Sequence, residues 1–303
     1  MANTPYSQEY PLGTPAVNGN ALTVDLMLKE PTRINAYLSN VALYGYFAEK
    51  IFTNAGGVSG GALVYSQLTT NDLFPTRRAQ RVEPGAEFPE VTFDRPEPKT
   101  AQVEKIGGKY SVTDEARDRN DLTEVQNETT KLGNDIQDQL HTRALNELDA
   151  AISSVGAPIQ MTTSSWADAA ALTLTTTANS LLPAADLAEM GKRAANQRLG
   201  TRYNLLIVNP QEFANFHVIY GDRANAILAA NGIEEMIATP LVNAGEGYAI
   251  QRGLVGQVRY EQPVGTTTYR EEGREVTWVK SSVRAVFAVT NPYNVLKLTG
   301  LAA

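Results

Sequence analysis

The chain contains no cysteine, which excludes disulfides, thiolate metal sites and a cysteine nucleophile from the outset. Histidine is almost as scarce: His141 and His217 are the only two in 303 residues, leaving little material for imidazole acid–base chemistry. No run reaches the roughly 18 consecutive apolar residues that a membrane-spanning helix needs. The opening Met1-Ala-Asn-Thr-Pro-Tyr6 lacks the basic patch and apolar stretch of a secretory signal, so the expectation is a soluble, intracellular product with no membrane partner. Basic charge is in short supply as well. Thirty-three acids against 26 bases give a net charge of -7, which opposes tight binding of nucleic acid by counterion release. Neither G-x-x-x-x-G-K-[ST] nor G-x-G-x-x-G occurs, so no loop is a candidate for cradling a nucleotide, and no cofactor is expected.

What is present is ordinary globular material, 43% hydrophobic and 19% charged, enough for one large domain or two of normal size. Its arrangement along the chain is less ordinary. Residues 1–20 are polar and dotted with Pro5, Pro11, Gly13, Pro15 and Gly19, with no apolar period, and read as an arm. Spaced apolar positions follow from Leu22 to Phe47, the later part fitting a helix that Thr32 could cap. Gly56, Gly57, Gly60 and Gly61 then bend the backbone before the β-rich run Ala62 to Leu68.

Residues 62–98 carry five prolines, Pro75, Pro84, Pro89, Pro96 and Pro98, and Pro84-Gly85 suits the middle of a type II turn. The expectation is a long hairpin with its tip near Glu83 to Ala86. Proline at this density cannot sit in a central strand, so the ribbon must be an edge or a projection. Two strands alone are marginal in water, and something outside the hairpin has to cover Phe74, Phe88 and Phe93.

From Asp121 to about Ser153 no proline interrupts a one-sided stripe, Val125, Leu132, Ile136, Leu140, Ala144, Leu148 and Ile152, and Asp121 with Glu124 is spaced like a capping box. One helix of that length extends about 50 Å, more than a compact domain needs. Gly133 could bend it. Its other face is acidic. Beyond a Thr/Ser/Ala-rich stretch at 162–180 the pattern becomes compact α/β: a helix near 184–198, the buried-strand run Tyr203-Asn-Leu-Leu-Ile-Val-Asn209, Pro210 opening another helix through His217, and β-rich segments to the end.

Three motifs invite chemical readings. Gly57-Val-Ser59-Gly-Gly61 matches the nucleophile elbow G-x-S-x-G, and a Ser59, Asp222, His217 triad can be written. The residues that follow are β-type rather than helical, which favours a glycine hinge. His141 has Asp138 three residues earlier on the helix, a spacing that could share a metal, but a solvated helix histidine is the simpler expectation. His217 is expected to pack beside Phe213 and Tyr220. Asn127-Glu-Thr129 is a glycosylation sequon by pattern only. The charges of the hairpin say more: Arg77, Arg78 and Arg81 lie on one leg, Glu87, Glu90 and Asp94 on the other. They are either solvated edge charges or, with Phe88 and Phe93, a surface that meets a partner's complementary charges.

Arm, projecting ribbon, over-long helix and compact α/β unit, in that order, resemble the major capsid proteins of tailed bacteriophages, the Hong Kong 97 fold. The resemblance is carried by Phe88-Pro-Glu-Val-Thr-Phe93 leading into residues 99–114, by the helix end at 135–152, by Leu205-Leu-Ile-Val-Asn-Pro-Gln-Glu-Phe213, and by the closing run 283–297. It implies an α+β fold made of an N-terminal arm region (1–61), an extended β-hairpin loop (62–98) and a peripheral domain (99–180) with a spine helix at about 113–153. An axial domain (181–290) and a return to the peripheral domain (291–303) complete it.

The implied function is self-assembly into pentamers and hexamers that close an icosahedral shell around double-stranded DNA in the host bacterial cytoplasm. The partners are the chain itself, a separate scaffolding protein, a portal and a possible decoration protein, with no enzymatic activity. Candidate contacts between subunits are Arg77, Arg78, Arg81, Glu87, Phe88, Glu90, Phe93 and Asp94. Some members of the family weld subunits through a lysine of the extended loop, yet residues 62–98 contain no lysine, so a non-covalent shell is expected. Encapsulin nanocompartments are similar in fold and remain the alternative, with a serine hydrolase using Ser59 as a third reading.

Overall fold

The computed structural model describes residues 24–29, 31–32, 34–35, 47–69, 79–90, 97–120, 122–171 and 178–302. Helix α1 (Val24–Lys29) sends Val24 and Leu28, four residues apart and so on one face, into the interior. The single turn α2 (Ala48–Ile51) runs directly into β1 (Phe52–Gly57), where only Phe52 is buried. Gly60 and Gly61, at φ +86° and +75°, reverse the chain into β2 (Ala62–Ser66). This strand pairs antiparallel with β3 (Pro98–Gln102), Ala62 opposite Gln102 and Ser66 opposite Pro98, and β4 (Glu104–Thr113) follows.

The sequence predicts a ribbon over the whole of 62–98, and among the described residues the ladder is confined to its root. Residues 79–90 form no strand, since Pro84 and Pro89 have no amide to donate. The tip is as expected. The Ala86 amide donates to the Glu83 carbonyl at 3.0 Å, and Gly85 takes φ +84°, the left-handed value that the third position of a type II turn requires.

The long helix begins close to the Asp121 given by the residue pattern and later than the 113 implied by the resemblance. Thr113 instead caps a separate helix α3 (Asp114–Asp118), its hydroxyl accepting from the Ala116 amide at 3.3 Å, and Asn120 at φ +56° breaks the chain before α4 (Leu122–Val155). Asp121, the expected cap, lies outside the described residues. Helix α4 has 34 residues, about 50 Å at 1.5 Å each, and continues through Gly133 without interruption. Val125, Thr129, Gly133, Ile136, Leu140, Ala144, Leu148 and Ile152 are buried at steps of three and four; in the C-terminal half His141, Leu145 and Ala151 widen the stripe.

The remaining chain alternates. Strand β5 (Gln160–Thr162), helices α5 (Trp166–Ala171) and α6 (Pro183–Gln197), and strand β6 (Leu205–Val208) precede α7 (Pro210–Tyr220). Pro183 and Pro210 open their helices where an amide would have no partner, and the Asn209 side chain caps α7 by accepting from the Gln211 amide at 3.0 Å. Then come α8 (Ala224–Ala230), β7 (Glu235–Ala238), β8 (Glu246–Ile250), β9 (Gly256–Glu271), β10 (Val276–Val289) and β11 (Val295–Thr299).

Two main sheets result, in the orders β1-β9-β10-β4 and β5-β11-β8-β6-β7. This pairing divides the chain differently from the expected boundaries. Residues 256–289, placed in the axial unit by the resemblance, form the two central strands of the sheet lying on α4, because β10 pairs with β4 along ten consecutive positions. Residues 295–299, expected to return to the peripheral unit, pair with β8 and β5 in the other sheet. At the start of β9, Gly256 lies so close to Ala288 and Val289 of β10 that a side chain there would strike the Ala288 carbonyl and the Val289 Cα.

Helix α4 joins both sheets in one core. Ile136, Leu140, Ala144, Leu148 and Ile152 share a cluster with Val258, Val283 and Phe287 of the four-stranded sheet and with Leu205, Ile207, Ile250 and Val295 of the five-stranded one. Strand β6 is buried on both faces: Leu205 and Ile207 point to this cluster, while Leu206 and Val208 face a second one built from α6, α7 and α8 around Trp166 and Phe216. Deleting the side chain of fully buried Leu148 leaves a cavity between helix and sheets. Leu148→Ala should therefore lower the unfolding free energy by about 2–5 kcal/mol in urea titrations.

Candidate assembly surface

The extended loop is held at its root and free at its tip. Leu63 and Ala101 pack on Val286 and Ala288 of β10, on the sheet face opposite α4. The Leu68 amide donates to the Thr290 carbonyl at 2.8 Å, and the Val103 amide to the Gly61 carbonyl at 2.9 Å. Gln67 is buried, accepts from the Lys99 ammonium, and donates to Ser154 at the end of α4 at 3.4 Å. Arg143 of α4 reaches Glu104 of β4 at 3.0 Å and Glu147 at 3.2 Å. The root thus belongs to the rigid body of helix and sheet.

At the tip, Arg81, Glu83, Glu87 and Glu90 are all exposed. Phe88 is 83% exposed, so nothing among the described residues covers it. Arg77, Arg78, Phe93 and Asp94, with Phe74, lie outside the described residues. Of the eight candidate contacts from sequence, four are therefore placed, and all four sit within one exposed turn region. Val64 on β2, 66% exposed, is a further bare apolar side chain near the root.

Sequence reasoning missed a second surface. Along β10 and β4 the register sets Lys105 opposite Arg284 and Lys109 opposite Lys280. Ile106, Tyr110, Val112, Val279 and Val283 turn toward the core, so these four cations share the opposite, outward face. Trp278 and Tyr269 are paired across β10 and β9. The Lys109 ammonium lies 4.0 Å from the Trp278 ring and donates to the Tyr269 hydroxyl at 3.2 Å. Arg284 reaches Glu261 at 3.4 Å. The signal needed to find this face was the strand register, which no single strand contains.

The motifs read as chemistry fall as follows. Ser59 is exposed between β1 and β2, so the strand-to-helix turn of a nucleophile elbow is not formed there. Among the described residues no group of three His, Asp or Glu could hold a metal ion. His217 stacks on Phe213 at 4.3 Å, as expected, while Tyr220 meets Phe216 edge to face instead. His141 is not solvated. It is 6% exposed and lies 4.2 Å from the Phe47 ring at a tilt of 36°, against a residue delivered by a distant part of the chain.

Several ionisable groups are shifted by this packing. Burial pushes the Asp186 carboxyl up, although the Trp166 indole donates to it at 2.9 Å. Asp149 of α4 accepts from the Tyr248 hydroxyl at 2.9 Å and from the Lys297 ammonium at 3.0 Å, and Glu246 takes the same ammonium at 3.2 Å, tying the helix to β8 and β11. Burial and the Asp149 charge raise the Tyr248 phenol; at Lys297 burial opposes the charge, but the two carboxylates outweigh it and raise the pKa.

The architecture is that of a phage shell protein, with a mixed helix and strand body from which a long loop projects. A family model for phage capsid protein matches residues 96–298, and the chain belongs to that family. The likeness to the tailed-bacteriophage major capsid proteins of the Hong Kong 97 fold holds in the folded chain. A virus-like particle from Pyrococcus furiosus is similar at 16% identity and a TM-score of 0.60, over 88% of this chain and 97% of that one. A structure of Mycobacterium phage Bobi is similar at 13% identity and a TM-score of 0.59, over 84% and 90%. For the capsid of the cyanophage P-SCSP1u the values are 12% and 0.56, over 83% and 88%. Among curated proteins none matches the chain.

Burial holds His141 down at about 4, against the opposing pull of Asp138. Its neutral form is therefore the folded one. The stability this contributes is complete above the ordinary value of 6.5 and is lost as pH falls toward about 4, below which it levels off. The difference amounts to about 3 kcal/mol. Urea titrations of the wild type and of His141→Leu between pH 7 and pH 4 should show the slope of stability with pH reduced by close to one proton in the variant.

Proposed function

We propose that this protein is a major capsid protein that assembles with copies of itself into the pentamers and hexamers of an icosahedral shell enclosing double-stranded phage DNA. The observation that carries the reading is Phe88 at the end of a loop rooted in a rigid body: 83% exposed, on a chain of the phage capsid family. A lone apolar side chain held clear of its own domain gains by burial against a neighbour, at about 25 cal/mol per Å². Many such weak contacts, repeated by symmetry, sum to a durable closed assembly. Scaffolding, portal and decoration proteins are the partners this role brings, and the host bacterial cytoplasm is its place of assembly. The net charge of -7 suits a container that must not adhere tightly to its cargo.

The role is structural, with no reaction of its own; Ser59 should not label with a fluorophosphonate probe. The purified chain, examined by analytical ultracentrifugation and negative-stain microscopy, should form closed particles. A compact monomer at high concentration would overturn the reading.

A second reading has one observation in its favour: the likeness to the Pyrococcus furiosus virus-like particle, which brings in an encapsulin-type nanocompartment. Particles carrying nucleic acid support the phage shell; particles carrying a protein cargo support the compartment.

The loop has no lysine between residues 62 and 98, so the shell should be held without covalent links through it. Denaturing electrophoresis of mature particles should give a single band at 32.8 kDa, and a ladder of multiples would contradict this.

A further inference from the structure

The first turns of α7 bury two polar side chains whose hydrogen bonds are only half made. Glu212 and Asn215 lie three positions apart, and so on one face of the helix, and are 0% and 8% exposed. Glu212 Oε1 accepts from the Gly245 amide at 2.9 Å, and Asn215 Oδ1 accepts from the Gln211 side chain at 3.2 Å. The other end of each group, Glu212 Oε2 and Asn215 Nδ2, is buried and has no hydrogen-bond partner among the described residues. A buried donor or acceptor left unmade costs the folded chain its full desolvation, so folded proteins leave very few of them.

The two groups are complementary rather than alike. The Gln211 donation assigns Oδ1 of Asn215 to that bond and leaves Nδ2, a donor, beside the acceptor of Glu212. A molecule that both accepts and donates satisfies the pair, and water does so with two bonds. A metal cation fits less well. The carboxylate would attract it, but the Asn215 amide offers it hydrogens rather than a lone pair. Glu212 is also the third residue of α7, after Pro210 and Gln211, where the amides of a helix start carry positive partial charge. An anion is repelled by the carboxylate itself.

We propose that Glu212 and Asn215 hold a buried water molecule, which accepts from Nδ2 of Asn215 and donates to Oε2 of Glu212. The site lies where the connection from β7 to β8 meets residues 301 and 166. The Asn209 side chain donates to the Val242 carbonyl at 2.8 Å, and Gly245, at φ +81°, presents its amide to Glu212. The Gly245 carbonyl accepts from the Leu301 amide at 3.0 Å, and the Leu301 carbonyl from the Trp166 amide at 2.8 Å. The water completes the bonding of the carboxylate that holds Gly245, and so pins this connection, and Leu301 with it, to the start of α7. The proposal goes beyond the shell reading and does not rest on it.

An experimental structure of the full chain, at a resolution that shows ordered water, tests this directly. Density for one ordered atom within about 3.2 Å of both Glu212 Oε2 and Asn215 Nδ2 is expected. A direct bond between the two side chains, or density touching only one of them, overturns the proposal. Thermal unfolding in sodium, potassium, calcium and choline chloride at equal ionic strength separates water from a cation. Any change of midpoint among these salts should be the same for the wild type and Glu212→Gln. A midpoint that one metal ion raises in the wild type and not in the variant assigns the site to that cation and overturns the proposal. Urea titrations of Glu212→Met, Asn215→Leu and their combination give a further readout. Each single substitution strands the water and the group opposite, so the combination should raise the unfolding equilibrium constant by a factor about tenfold smaller than the product of the single factors. A factor equal to that product separates the two groups and overturns the shared water. If a variant fails to fold, the density decides.

Discussion

Everything in this molecule leans on the buried stripe of its longest helix. A helix of 34 residues with one narrow apolar seam has little stability by itself, because propensity alone barely offsets the entropy of ordering it. Here the seam is used twice. Ile136 to Ile152 lie under the four-stranded sheet on one side and reach Leu205, Ile207, Ile250 and Val295 of the five-stranded sheet on the other. The helix is therefore the element through which two sheets without a shared strand become one body. The Asp149, Tyr248, Lys297 and Glu246 network adds direction to this apolar contact, since its hydrogen bonds fix where β8 and β11 meet the helix.

That rigidity explains how a loop so poor in its own contacts can still be presented in a defined place. Its root is hydrogen-bonded to the body at Thr290, Gly61 and Ser154 and packed on Val286 and Ala288, whereas its tip keeps a single turn closed by one backbone bond. A shell protein requires both properties together: a platform stiff enough to set geometry and a projection that does not satisfy itself. Ion pairs such as Arg143 with Glu104 and Arg270 with Asp114 lie on the body, while Glu83, Glu87 and Glu90 of the tip form none among the described residues.

Much of this was legible along the chain wherever a contact is local. The stripe of α4, the Pro84-Gly85 turn, the buried run at Leu205 to Val208 and the proline-opened helices all depend on neighbours a few residues away. The misread features depend on distant ones. His141 looks like a solvated helix residue until Phe47 is laid upon it. The spine starts at Leu122, as the pattern from Asp121 gave it and not at the 113 that the resemblance implied, because Thr113 and Asn120 form a separate capped turn. The run from 256 to 289 reads as β from its composition, but its sheet is chosen by ten register positions with β4.

The amino-acid sequence by itself determined the parts: a long one-sided helix, a proline-rich projection, a buried strand and, with no cysteine, the absence of thiol chemistry. Those follow from side-chain periodicity and backbone stereochemistry, which act over a few residues. Tertiary structure alone decided which strands share a sheet, that a histidine is buried, and that Lys105, Lys109, Lys280 and Arg284 form one basic face. Each of these depends on register between segments far apart in the chain, and register is set only when both faces of a sheet compete for the same core.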